Sequence, residues 1–116
     1  MRDEGEILEI GEFEIGRDKN RGLLPFSRAD QLSRASLSIP LNIAEGNGRF
    51  RPNDRRQFFT VARGSAFECV PILQLLKRQN LITQSLFDNF YSQLQVLAKM
   101  LSSLILREES KAKEHR

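Results

Sequence analysis

Apolar residues in the middle of the chain recur at steps of three and four, the repeat that places side chains on one face of an α-helix. Leu32, Ala35, Ile39 and Ile43 form the first stripe, which predicts a helix from about Arg28 to Glu45 with Ser27 as its N-cap. Pro40 lies inside it. A proline there lacks the amide donor and presses on the carbonyl four residues back, so a kink or break is expected between Ser36 and Pro40. Gly46 and Gly48 then supply the permissive backbone of a helix end.

A second stripe passes through Phe58, Ala62, Ser65, Cys69, Leu73 and Leu76 to about Gln79. Pro52 and Asn53 precede it, and Asp54 with Gln57 has the spacing of a capping box, so the helix is expected to begin there. Pro71 predicts a bend one turn upstream, near Phe67. Asn80 closes this helix and Thr83 caps the next, with Ile82 placed to staple against Phe87. The third stripe runs through Leu86, Phe90, Leu94, Leu97, Leu101 and Leu104, flanked by Phe87, Val96, Ala98, Ile105 and Leu106. So wide a face implies packing against more than one neighbour, inside a bundle or across a subunit interface.

The ends read differently. After Arg107 the apolar repeat stops, and residues 108–116 are expected to fray as a charged tail. In the leader, residues 1–25, LEIGEFEIG is nearer to alternation, a strand or hairpin signal, with a disordered segment or a strained helix as the alternatives. The helical domain is expected over 26–107, all-α in class.

Charge sharpens this division. Residues 1–20 hold seven acidic and three basic side chains, a balance of −4, while the remainder balances at +7. A basic body suggests a polyanionic partner. No apolar window is long enough to cross a bilayer and the acidic start does not resemble an export signal, so a cytoplasmic protein without membrane contact is expected. One cysteine, Cys69, and one histidine, His115, allow neither an intrachain disulfide nor a Cys/His metal cluster, and no metal or cofactor is expected.

Two blocks carry a family resemblance: DQLSRASLSIPLNIAEGNGR, from Asp30 to Arg49, and ARGSAFEC, from Ala62 to Cys69, with Leu81 and Ile82 ahead of a Leu-rich helix. Over roughly residues 26–106 the chain resembles the four-helix bundle family of bacterial 23S rRNA intervening-sequence proteins. The resemblance implies an antiparallel four-helix bundle assembled as a ring of five subunits. Relatives include accessory proteins of diversity-generating retroelements, basic pentamers that bind nucleic acid and a reverse transcriptase. The first helix of such a bundle has no match in the leader, so it is atypical or missing here.

Within the first block, Asn42, Glu45 and Arg49 share a helix face, and Pro40, Gly46 and Gly48 shape the helix end. In the second, the run Gly64, Ser65 and Ala66 narrows the helix for close packing, and Glu68 is expected to be buried against Arg34 or Arg63. Cys69, Phe58, Phe59 and Phe67 read as core. No paired acid and base, phosphate-cradling loop or activated nucleophile is present, which argues against an enzyme. The candidate site is an arginine cluster: Arg49, Arg51, Arg55, Arg56 and Arg63 lie within fifteen residues opposed only by Asp54. Arginine's planar fork suits phosphate, so this cluster points to salt-sensitive, sequence-independent binding of RNA or DNA by a homo-oligomeric scaffold. A protein-interaction adaptor that docks a partner such as a reverse transcriptase is the competing expectation.

Overall fold

The computed structural model describes residues 27–114. They form three helices, α1 (Arg28–Asn47), α2 (Pro52–Arg78) and α3 (Gln84–Glu114), packed antiparallel with α2 in the middle. α1 and α3 each pack along α2 and scarcely touch one another. The alternating leader segment and His115 lie outside the described residues, as does the place of a fourth helix.

Local signals set most boundaries. The Ser27 hydroxyl accepts the Asp30 amide at 3.1 Å, the expected N-cap. At the end of α2, the Leu81 amide donates to the Leu76 carbonyl and the Asn80 amide to the Lys77 carbonyl. That bonding pattern is a Schellman closure, and Asn80 sits in the left-handed region, φ 61°, that it requires. The Thr83 hydroxyl accepts the Leu86 amide at 3.1 Å, and Ile82 and Phe87 are buried in one cluster as a hydrophobic staple places them.

Four expectations change. α2 starts at Pro52 with Arg51 as N-cap and no side-chain cap, because proline's fixed φ suits the first helical position; Asp54 is left in the first turn, where the helix dipole favours it. The break allowed for at Pro40 does not occur: α1 runs continuously through it, as α2 does through Pro71. Pro40 and Ser36 are exposed, as are Pro71 and Phe67, so each proline lies on the solvent side of its helix. Gly48 caps α1 in ordinary right-handed backbone, φ −84°, its amide shared between the Ala44 and Glu45 carbonyls. Finally, α3 continues to Glu114 rather than fraying after Arg107, with Glu108 fully buried within its last turns.

The core forms three layers along α2. Leu73 and Leu76 meet Ile82, Leu86 and Phe87 at one end; Ala66 and Cys69 meet Ile39 in the middle; Phe59 and Ala62 meet Leu101 and Ile105 at the other end. Each large side chain buried there contributes roughly 1.5–3 kcal/mol. Phe59 is core as expected, but Phe67 is 58% exposed on the outer side of α2. The width of the α3 face is real: its Val96, Met100 and Leu106 stay exposed after the packing on α2 is complete.

Candidate nucleic-acid interface

The turn between α1 and α2 is braced by a single side chain. Arg55, one turn into α2, donates from Nη1 to the carbonyls of Asn47 at 3.1 Å and Arg49 at 3.2 Å. Its Nε lies 3.4 Å from Oε1 of Glu108 on α3, and its guanidinium sits 5.8 Å from the Phe59 ring centre. Glu108 is completely buried, and neither carboxylate oxygen makes a hydrogen bond; Arg55 and Lys111, the latter at 3.8 Å, supply its compensation as charges. A buried carboxylate so placed is tolerated only while its cations stay. This pairing fastens the region of Glu108 in α3 to the start of α2.

The five arginines therefore do different work. Arg49 pairs with Glu45 at 3.1 Å and lies over the Phe58 ring at 4.9 Å. Exposed as that pair is, it is worth only about 0.3–0.5 kcal/mol. Arg55 is the brace. Arg63 donates to the Ser102 hydroxyl at 3.1 Å, tying α2 to α3. Arg51 is exposed and Arg56 half-buried, and neither has a carboxylate within ion-pair distance among the described residues. Arg56 shares a hollow of about 260 Å³ with Asn53, Glu109, Ala112 and Lys113. The fold thus brings basic groups from the end of α3, Lys111 and Lys113, to the arginine loop.

The other motif residues are structural in several ways. Asn42 turns inward and donates to the carbonyl and the hydroxyl of Ser38, at 2.8 and 2.9 Å, and the Ser38 hydroxyl also accepts from Ser65 at 2.8 Å, joining α1 to α2. Gly46 is buried against Phe59: a Cβ there would fall 2.7 Å from the ring. Gly64 has open space around it, so the close packing comes from Ser65 and Ala66 instead. Glu68 is exposed, not buried, and lines a hollow of mixed character with Arg34, Gln31, Ser38, Pro71 and Ile72. Its charge and, more strongly, burial raise the Cys69 thiol from its ordinary 9.0 to about 11, the state of an inert core cysteine.

Two features escaped sequence reasoning. Phe50, between Arg49 and Arg51, is 100% exposed; its signal was an aromatic ring in a two-glycine, arginine-rich turn with no helical stripe to join. The second is an apolar groove of about 400 Å³ between α1 and α3, floored by Cys69, Leu73 and Leu76 and walled by Leu32, Pro40, Phe90 and Leu97. Leu37 and Leu41 on α1 and Val96 and Met100 on α3, outside its lining, remain exposed. No helix among the described residues is long and apolar enough to cross a membrane, and no three His, Cys, Asp or Glu residues cluster there.

These elements define a small all-α antiparallel bundle with arginines and lysines gathered at one end and an apolar groove between α1 and α3. Residues 24–103 match the family model of the 23S rRNA-intervening sequence protein, most of the chain, and the chain belongs to that family. A search of curated proteins returned no match. The fold is similar to the crystal structure of a protein of unknown function from the S23 ribosomal protein family of Bacteroides thetaiotaomicron, with a TM-score of 0.71 and 25% identity over 86% of this chain and 88% of that one.

Proposed function

We propose that this protein is a non-enzymatic, self-assembling helical scaffold that holds the phosphate backbone of nucleic acid at the end formed by the α1–α2 turn and the last turns of α3. The observation that carries this reading is the hollow shared by Arg56 near the start of α2 and Lys113 in the last turn of α3, with Glu109 the one acid in its lining, and Arg51, unpaired among the described residues, at the N-cap of α2. Phosphate oxygens meet such groups without reading sequence, so binding is salt-dependent and indifferent to base order. The family's name, tied to sequences intervening in 23S rRNA, is in keeping with this. Assembly multiplies the effect by repeating the cationic end, and the exposed apolar residues of α1 and α3 are suited to contact between copies.

The test is fluorescence anisotropy with labelled RNA and DNA across a salt series. Replacing Arg51→Ala and Arg56→Ala should weaken binding to every sequence and lower the salt slope by roughly 0.7–0.9 for each phosphate no longer neutralised. Affinity without a salt slope, or unaffected by that double replacement, would remove the reading. The groove favours a second: an adaptor that receives an amphipathic helix of a partner protein such as a reverse transcriptase, with no nucleic-acid contact of its own. A defined complex with that partner, in protein that shows no salt-dependent affinity for RNA or DNA, would favour it.

A further inference from the structure

We propose that the α1–α2 turn selects single-stranded nucleic acid, the Phe50 ring stacking on an unpaired base while Arg51 meets the adjoining phosphate; this deepens the reading above and rests on it. Phe50 is fully exposed, yet the backbone on both sides of it is pinned. The Arg49 amide donates to the Gly46 carbonyl at 3.1 Å, the Arg49 carbonyl accepts from Arg55, and the Arg51 carbonyl accepts the Arg55 amide at 3.0 Å. Arg55 is itself held against buried Glu108. An aromatic ring on so fixed a mount loses little freedom when a ligand covers it.

The surroundings choose the ligand. In the turn, Phe50 has Gly48, Arg49 and Arg51 as neighbours, so no apolar side chain of the turn forms the collar that a protein-docking knob needs. Instead a cation stands on each side, Arg49 held by Glu45 and Arg51 unpaired among the described residues. In a duplex the base faces are covered by their stacked neighbours and the grooves offer only edges. A phenyl ring finds a base face in an unpaired strand, where stacking contributes about 1–3 kcal/mol per base and tolerates any sequence.

The experiment compares an unstructured oligothymidylate with a DNA duplex of equal length by anisotropy, using full-length protein. The wild type should prefer the single strand. Phe50→Ala should lose roughly tenfold affinity for it and little for the duplex, Phe50→Trp should retain the preference, and Phe50→Leu should behave like alanine. Full exposure of the residue means that folding, checked by circular dichroism, should be unaffected. Salt-dependent binding with a strand preference unmoved by Phe50→Ala would overturn this inference and leave the nucleic-acid reading standing. Absence of salt-dependent binding to either probe would overturn both. Recovery by Phe50→Leu, or a Phe50→Ala change in assembly mass alone, would assign the ring to protein contact and overturn the inference.

Discussion

Gly46 and Gly64 each sit inside a family-like motif; in the sequence Gly46 reads as part of a helix end and Gly64 as part of a narrow packing face. Their surroundings differ: Gly46 faces Phe59 and the Cβ of Phe58, while Gly64 meets nothing within 4 Å. Gly46→Ala should therefore cost roughly 2 kcal/mol in urea unfolding, because the fully buried Phe59 ring has nowhere to retreat, and a second change of Phe59→Leu should recover part of it. Gly64→Ala should instead stabilise by about 0.5–1 kcal/mol, the gain of replacing glycine in an open helix position. Residue identity cannot separate the two, since the clash belongs to a side chain thirteen positions away. The same limit explains Phe67 and Glu68, whose neighbours in sequence, Ala66 and Cys69, are buried while they are exposed. At residue scale the apolar repeat locates a stripe but not its edges.

At the scale of elements, caps were legible because each is a contact among residues three to five apart. Ser27, Asn80 and Thr83 act where their side chains and backbone predict. The length of α3 was not legible: Glu108, buried within its last turns, pairs with Arg55, over fifty positions earlier. Arg55→Ala should cost roughly 3 kcal/mol by leaving Glu108 buried without its nearest cation, and hydrogen exchange should rise in residues 105–114 before the rest of α3. The paired replacement Arg55→Met with Glu108→Leu should restore much of the stability, since no charge is then stranded. Equal exchange in wild type and Arg55→Ala would show that the brace holds nothing. In an Arg55 variant, weaker binding reports a disordered turn as readily as the removal of a phosphate partner, so Arg51 and Arg56 are the informative positions for the candidate site.

For the whole molecule, the three-helix packing leaves apolar hollows between α1 and α3 and between α2 and α3, and several exposed apolar side chains, uncovered among the described residues. The proposed assembly predicts a mass in light scattering several times the 13.4 kDa of one chain. Leu37→Asp with Met100→Asp should return it toward a single chain with unchanged helix content, because both side chains are exposed in the isolated subunit and their replacement costs it little, within about 0.5 kcal/mol each. A wild-type mass of one chain would end the self-assembly part of the proposal, while leaving the cationic end to be judged on its own binding data.

The sequence determined the all-α class and the three helices through periodicity, and most of their ends through capping residues, since each follows from side-chain spacing and hydrogen bonds within a turn or two. Which arginines remain open to a ligand was decided by the tertiary structure. Burying Glu108 consumed Arg55, Ser102 took Arg63, Glu45 took Arg49, and the return of α3 brought Lys113 beside Arg56. Charge counted along a chain cannot show this, because electrostatic partners are chosen by distance in space.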